Sequence, residues 1–130
     1  MHRSRLAGFI VDCRTDDLEK AAQFWSQALG LSLKPAAEEP SPIYRQLLTA
    51  PEDMHVEIQQ VEHDSRVHID IETDDIEAEA RRLEALGAKR LRSVHTWCVM
   101  EAPTGQRFCV VRPQRGAIGP HANTWPDPRD

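Results

Sequence analysis

Apolar and ionisable residues alternate without a break along one short stretch of the chain, RVHIDIETDD at residues 66–75. In an extended strand successive side chains point to opposite faces, so the pattern predicts a strand with one apolar and one polar face. The apolar face is predicted to form half of a core, and the polar face is either a solvated sheet surface or the floor of a site. The two faces comprise Val67, Ile69 and Ile71 on one side, and His68, Asp70 and Glu72 on the other.

Part of the sequence occurs twice. The segment DCRTDDLE, starting at Asp12, returns 58 residues later as DIETDDIE, starting at Asp70, and both lead into apolar-periodic stretches that end in Leu-Gly. A second pair, TAPEDMHVEI from Thr49 and EAPTGQRFCV from Glu101, matches at an offset of 52. Two matched blocks in the same order indicate an internal duplication.

Each repeat is predicted to contain a strand, a helix and further strands. An Asp-x-x-Glu capping pattern, from Asp16 and from Asp74, precedes each helix, and a glycine follows it. The apolar stripes of the two helices are Leu18, Ala21, Ala22, Trp25 and Leu29, then Ile76, Ala80, Leu83 and Leu86.

These elements predict an α+β fold of two tandem βαβββ modules, about residues 6–61 and 66–112, with eight strands and two principal helices. Residues 1–112 form a single domain in this interpretation, and the Pro- and Gly-rich residues 113–130 form an extended or disordered tail. With one helix outside each module, the two sheets would join edge to edge as a cupped half-barrel.

The helix-free faces of such a half-barrel would line one cleft, and strand parity selects the side chains that face it. The polar face of residues 66–75 is therefore predicted to be part of a site. The selected residues are Ile10, Asp12, Arg14, His55, Glu57, Gln59, His68, Asp70, Glu72, Arg107, Cys109 and Val111.

Composition and charge exclude several classes of partner. The 130 residues carry a net charge of −5 without a stripe of Lys and Arg, which argues against a nucleic acid. No stretch approaches the roughly 20 apolar residues that span a bilayer, so no membrane partner is expected. The three cysteines have no framework spacing and favour a reducing, cytoplasmic location.

A family resemblance rests on three segments. HIDIETDDIEAEARRLEALGAK and EAPTGQRFCVVRP resemble the vicinal oxygen chelate superfamily, in its glyoxalase and bleomycin-resistance branch. DCRTDDLEKAAQFWSQALGL, with a later tryptophan and FCVV, is most similar to the subgroup called the glyoxalase-like domain. The resemblance covers about residues 6–112 and implies the paired fold. It does not imply one chemistry, because lyases, isomerases, dioxygenases, thiol transferases and metal-free drug binders share this scaffold.

The resemblance also implies where a metal would bind, at equivalent points on the first and last strand of each repeat. Carried over, those points are Ile10, Glu57, His68 and Cys109. Since Ile10 offers no donor, a four-ligand site of the family type for Mg²⁺, Mn²⁺ or Ni²⁺ is not expected. The alternatives left open are no cofactor, or a divalent metal at an incomplete site on His68 and Glu57, for example Zn²⁺ with a thiolate as a further ligand.

Three carboxylates, Asp70, Asp12 and Glu57, are the candidate catalytic bases. Asp12 and Asp70 occupy matching points of the repeats, and if they approach each other, like-charge repulsion favours a proton on one of them. The alternative is that each is solvated or paired with an arginine, Arg14 or Arg66.

The candidate ligand-binding residues are His68, Glu72, Gln59, Trp97, Arg14 and Cys109. Trp97 would stack on a planar ligand, and its counterpart in the first repeat is aligned as Arg45, which a core position would not tolerate. His68 is alternatively a structural histidine bonded to a carboxylate, and Cys109 an inert core residue.

The resemblance implies a small-molecule-binding protein of the glyoxalase-like kind, with a lyase or isomerase reaction in the cleft as the first interpretation. The alternative is a metal-free protein that sequesters an organic compound, as bleomycin-resistance proteins do, and the sequence leaves open whether the chain is an enzyme. Uncovered sheet edges, and Trp125 in the tail, favour a homodimer.

Overall fold

The computed structural model describes residues 1–94 and 96–126, which form two principal helices and eight strands. The predicted α+β class is confirmed. A short 3₁₀ helix, Ala36–Glu38, precedes the second strand. The elements are β1 (His2–Arg14), α1 (Leu18–Leu29), β2 (Tyr44–Leu47), β3 (His55–Val61), β4 (Arg66–Thr73), α2 (Ile76–Ala85), β5 (Lys89–Val94), β6 (Trp97–Glu101), β7 (Arg107–Val111) and β8 (Asn123–Trp125).

The chain divides into two compact units. The first-repeat unit is Phe9–His68, and the second-repeat unit is Met1–Gly8 together with Ile69–Asp130. The division falls inside β1 and β4, so each unit contains a part of both strands.

Both helices begin at an aspartate whose carboxylate accepts a hydrogen bond from a backbone N–H three residues later. These N-caps are Asp17 and Asp75, with N–O distances of 3.1 and 3.0 Å. Each lies one residue after the aspartate of the predicted capping pattern, so the prediction of Asp16 and Asp74 was wrong by one position. The first apolar residue of each stripe directly follows the true cap. At the other end of α1, Gly30 adopts a φ of 68°, a left-handed conformation that glycine reaches without strain.

Each helix packs on one face of its own unit's strands and closes a separate core. In the first-repeat unit the core is Ala22, Leu47 and Ile58, with Val11, Cys13, Leu18, Trp25 and Val56 packed against it. In the second-repeat unit the core is Ala80, Leu83, Cys98, Met100 and Val110, with Ile71, Ile76, Ala88 and Phe108 packed against it.

The first-repeat unit has the strand order β2-β3-β1, with β2 and β3 antiparallel. The fourth strand that the duplication predicted for this module is reduced to one isolated bridge, Leu33 with Leu47. The cause is local, since three prolines and the 3₁₀ helix occupy the segment between α1 and β2, and proline cannot donate to a strand ladder.

The second-repeat unit has the strand order β4-β7-β6-β5, in which β4 and β7 are parallel and the other neighbours antiparallel. The eighth strand lies in the tail. Strand β8 pairs antiparallel with the start of β1, so that His2 and Trp125 are Cα partners.

Strand parity separates a helix-covered from a helix-free face in both units, as the alternation predicted. In β4, Ile71 packs on the core beneath α2, while Asp70 and Glu72 point the other way. The prediction that the apolar face is entirely core was wrong, because Val67 and Ile69 are 60% and 43% exposed. The second-repeat core reaches only the end of β4, where α2 begins.

Neither helix among the described residues is long and apolar enough to cross a membrane.

Candidate functional site

The helix-free face of the first-repeat unit carries most of the predicted polar site. Its members come from alternate positions of β1, β2 and β3, whose other positions supply Val11, Leu47 and Ile58 to the core under α1. The face comprises Ile10, Asp12, Tyr44, Gln46, His55, Glu57 and Gln59, and His68 joins it through its contact with Asp12.

His68 and Asp12 form a hydrogen-bonded pair. The Nδ1 atom of His68 lies 2.7 Å from Oδ2 of Asp12. The Asp12 side chain is only 2% exposed and that of His68 13% exposed. Arg66 approaches the same carboxylate oxygen with its Nε at 3.6 Å. An imidazole held by a buried carboxylate has a fixed ring orientation, which is the arrangement that general acid–base catalysis requires.

Two further polar contacts occupy the neighbouring strands of this face. His55 is buried, and its Nε2 lies 3.9 Å from Oε2 of Glu57. One step along β3, Gln59 donates from Nε2 to the hydroxyl of Tyr44 at 3.1 Å. The predicted residues Glu57 and Gln59 therefore lie on the same face as Asp12.

Arg14 lies at the end of β1 and turns toward the loop after β3. Its guanidinium donates to Asp64 at 3.0 Å, and its backbone N–H donates to Ser65 at 2.9 Å. Both side chains of the ion pair are well exposed, so the pair contributes little to stability.

In the second-repeat unit, the predicted residues form two rows across the helix-free face. Asp70 is the Cα partner of Cys109, which is in turn the partner of Val99. The next row consists of Glu72, Val111 and Trp97. Asp70 is 7% exposed and Trp97 38% exposed, so the carboxylate is buried and the indole is accessible.

The register corrects the predicted counterpart of Trp97. Trp97 pairs with Val111, and in the first repeat the equivalent position, paired with Gln59, is Tyr44. The alignment of Trp97 with Arg45 was wrong by one residue, and a one-residue slip moves a side chain to the opposite face. Arg45 in fact lies on the helix side, 8% exposed, and pairs with Glu19 of α1.

Glu72 is fully buried and is held by the tail. Its Oε2 pairs with Arg5 and lies 3.5 Å from Nε of Arg115, and its Oε1 accepts a hydrogen bond from the backbone N–H of Gln114 at 2.6 Å. These contacts attach Gln114 and Arg115 to β4.

The donor set does not fit the four-ligand metal site that the fold family implies. Ile10, at one of the four positions, is buried and has no donor atom. Of the other three positions, Glu57 and His68 lie in the first-repeat unit and Cys109 lies in the second-repeat unit, where it is the Cα partner of Asp70. No catalytic step is assigned to a metal here.

The structure adds Tyr44 and His55 to the candidate site. Strand parity already selected His55, and the fold adds that its Nε2 has no hydrogen-bond partner within residues 1–94 and 96–126. Tyr44 was missed because the proline-rich segment before β2 interrupts the match between the repeats. The aromatic character shared by Tyr44 and Trp97 was the available signal.

Comparison with known proteins shows which fold this chain shares and which family it belongs to. The fold is shared with solved structures of the vicinal oxygen chelate superfamily, as the sequence predicted. A family model described as the glyoxalase-like domain matches residues 8–111, and the chain belongs to this family. No curated protein matches the sequence.

Several solved structures are similar in fold. A hypothetical protein from Bacillus halodurans is 12% identical with a TM-score of 0.61, over 89% of this chain and 99% of that one. A protein titled NAD-dependent benzaldehyde dehydrogenase from Legionella pneumophila is 9% identical with a TM-score of 0.60, over 82% and 99%. Methylmalonyl-CoA epimerase from Streptomyces coelicolor is 15% identical with a TM-score of 0.54, over 85% and 97%.

Proposed function

We propose that this protein is a lyase or isomerase that moves a proton on a small carbonyl compound, with His68 and Asp12 as the catalytic pair. The observation that carries the proposal is the 2.7 Å contact between His68 Nδ1 and the buried carboxylate of Asp12. A buried carboxylate bonded to an imidazole orients the ring and stabilises its protonated form during proton transfer.

The proposed step starts with Nδ1 of His68 protonated and donating to Asp12, which leaves Nε2 as the basic nitrogen. Nε2 takes a proton from a carbon next to the carbonyl group, and the electron pair of that C–H bond becomes part of an enolate. Return of the proton from Nε2 to a neighbouring atom on the same face completes an isomerisation. Inversion of the carbon instead requires a second acid, for which protonated Glu57 is the candidate, to donate a proton from the opposite face, so that Glu57 ends as a carboxylate and His68 ends protonated. Loss of a leaving group from the enolate instead completes a lyase reaction.

Other residues have supporting roles in this proposal. Glu57, on the same face as Asp12, is a further carboxylate that can accept a proton. Gln59 is proposed to contact the ligand in the first-repeat unit, and Cys109 and Trp97 are proposed to contact a ligand on the helix-free face of the second-repeat unit. Of the other residues expected from the sequence, Glu72 is fully buried against Arg5 and Gln114, and Arg14 is paired with Asp64. The similarity in fold to methylmalonyl-CoA epimerase, whose name describes the inversion of a carbon centre, supports the reaction class without identifying the substrate.

Hydrogen exchange measures the proposed step directly. The protein is incubated in D₂O with methylmalonyl-CoA, 2-oxo acids and 2-hydroxyaldehydes, and the C–H signal next to each carbonyl is followed by proton NMR. We expect catalysed exchange for one class of compound, and its loss by at least about 100-fold in His68→Ala. His63→Ala is the matched control, because His63 is exposed in the loop before β4. Exchange at the wild-type rate in His68→Ala would disprove the assignment.

A second candidate function is a metal-free protein that sequesters an organic compound. The observation that favours it is the exposed indole of Trp97 on a helix-free face, where a planar ligand can stack. Under this alternative the protein binds an aromatic compound and returns it unchanged, with no exchange of its hydrogens.

We further propose that the protein is a cytoplasmic homodimer. Large apolar side chains on β1 and β4 support the assembly, since Phe9, Val67 and Ile69 are 38%, 60% and 43% exposed. Val67 and Ile69 lie two positions apart on one face of β4, and a contiguous apolar patch is typical of a surface that a partner covers.

A further inference from the structure

His55 and Glu57 form a second imidazole–carboxylate pair on the face that carries His68 and Asp12. The ring nitrogen of His55 and the carboxylate oxygen of Glu57 are too far apart for a direct hydrogen bond. His55 is the first residue of β3 and is 4% exposed. Among residues 1–94 and 96–126, its Nε2 has no hydrogen-bond partner. The nearest charged atom is Oε2 of Glu57, at 3.9 Å.

A buried ring nitrogen without a partner is unfavourable, so such a group indicates a site where something else binds. The distance of 3.9 Å is too long for a direct N–H···O bond. It is also less than twice a normal hydrogen-bond length of about 2.8 Å, so a single oxygen atom can lie within bonding distance of both groups.

The two groups together select the chemistry of that oxygen. We take Nε2 of His55 to be the protonated ring nitrogen, so that it donates a hydrogen bond, while the carboxylate of Glu57 only accepts. The oxygen between them must therefore accept one bond and donate another. A hydroxyl group does both, whereas a carboxylate or carbonyl oxygen cannot donate to Glu57, and an ammonium group cannot accept from His55.

We propose that His55 and Glu57 bind a hydroxyl group of the substrate, which is thus a hydroxylated carbonyl compound or a hydroxy acid. This inference depends on the proposed function, because it assumes that the helix-free face of the first-repeat unit binds the substrate. A substrate hydroxyl at this position would make both hydrogen bonds at once.

Matched pairs of small acids that differ by a single hydroxyl test the proposal. The probes are lactate with propionate and glycerate with lactate, and the dissociation constants are measured by chemical-shift titration. We expect the more hydroxylated member of a pair to bind at least about tenfold more tightly, as is typical for a hydrogen bond to a charged group. Equal binding within both pairs, or no binding of any hydroxylated probe at millimolar concentration, would mean that only water occupies the position and would overturn the proposal.

Three variants test whether His55 and Glu57 cause the preference for the hydroxylated probe. His55→Leu and Glu57→Gln are expected to reduce the preference for the hydroxylated probe to about one, with little change for the other probe. Glu57→Gln keeps the size of its side chain, so the test stands if His55→Leu does not fold. Glu62→Gln, an exposed carboxylate after β3, is the control and retains the preference. A preference that survives in both site variants would also overturn the proposal.

The outcome is distinguishable from failure of the proposed reaction. Hydroxyl preference without hydrogen exchange leaves the subsite in place and removes the catalytic role of His68. Hydrogen exchange without a hydroxyl preference would support the catalytic role of His68 and overturn the hydroxyl subsite.

Discussion

The indole of Trp125 lies over the guanidinium of Arg82, with the Arg82 Cζ atom 3.8 Å from the ring centroid. The indole nitrogen also donates to the hydroxyl of Ser4 at 2.8 Å. Arg82 in turn donates to both carboxylate oxygens of the buried Glu79, at 2.8 Å each, and His2 lies 2.8 Å from the same carboxylate. Strand β8 is thereby fixed to the start of β1 and to α2, within one unit.

Trp125→Ala is expected to lower the free energy of unfolding by about 2 kcal/mol, because it removes a cation–π contact, a hydrogen bond and apolar contact area. Urea denaturation followed by circular dichroism measures the change. Thr124→Ala, an exposed residue of the same strand, is the control and is expected to change stability by less than about 0.5 kcal/mol. Equal effects of the two substitutions would show that the indole contacts contribute nothing.

Glu79 is expected to make the stability of the second-repeat unit depend on pH. Burial raises the pKa of its carboxyl and is the largest single influence, but hydrogen bonds from Arg82, His2 and Ser4 together outweigh it and hold the pKa below the usual value. A carboxyl with a lowered pKa in the folded state stabilises the fold above its unfolded pKa of about 4.3, and this contribution is lost as the pH falls through the folded pKa.

Glu79→Gln is therefore expected to be less stable than the wild type at pH 7, and the difference is expected to shrink below about pH 4. Denaturation at a series of pH values measures it. Glu62→Gln serves as the control, because its exposed side chain leaves stability almost unchanged throughout. A Glu79→Gln deficit that grows toward low pH would contradict the linkage.

The His68–Asp12 pair is expected to be coupled in stability as well as in chemistry. His68→Ala leaves a buried carboxylate without its imidazole partner, at a cost of about 1–3 kcal/mol. Adding Asp12→Asn to that variant removes the buried charge, so the double variant is expected to be more stable than His68→Ala alone. A double-mutant cycle on the free energy of unfolding gives the coupling, and simple additivity of the two substitutions would contradict it.

Trp97→Ala separates binding from folding. Because the indole is 38% exposed, stability is expected to change by less than about 1 kcal/mol, while affinity for an aromatic ligand falls about tenfold through lost stacking. Binding is measured by titration calorimetry with a ligand that the wild type retains. Leu91→Ala, which removes another partly exposed apolar side chain, is expected to leave affinity unchanged.

Assembly is testable through the exposed apolar residues of β4. The wild type is expected to sediment as a dimer at micromolar concentration. Val67→Lys and Ile69→Lys are expected to produce monomers, because they introduce a charge where a partner surface would exclude water. A wild-type monomer at that concentration would overturn the dimer.

The sequence predicted which side chains share a face, because strand parity depends only on backbone geometry. Thus Asp12 with Glu57, and Asp70 with Cys109, lie on helix-free faces as expected. The duplication likewise predicted both helices. Their N-caps were displaced by one residue, since each repeat offers two consecutive aspartates and only the local backbone decides between them.

Other features depend on contacts between distant parts of the chain, which no local pattern encodes. Burial of Glu72 under Arg115 requires the tail to return to the sheet. Exposure of Val67 and Ile69 depends on where α2 lies relative to β4. The hydrogen bond between Asp12 and His68 joins residues 56 positions apart, and strand parity predicted only that both lie on a helix-free face.

Strand β8 has a consequence for how the gene for this protein could be rearranged. Because His2 and Trp125 are Cα partners, a short linker can join residue 126 to residue 1 without disturbing either strand. Residues 62–65, between β3 and β4, are exposed and can accept new termini. A circular permutant opened at Asp64 would carry the second repeat ahead of the first. Such a permutant is expected to adopt the same fold although its second repeat is translated before its first.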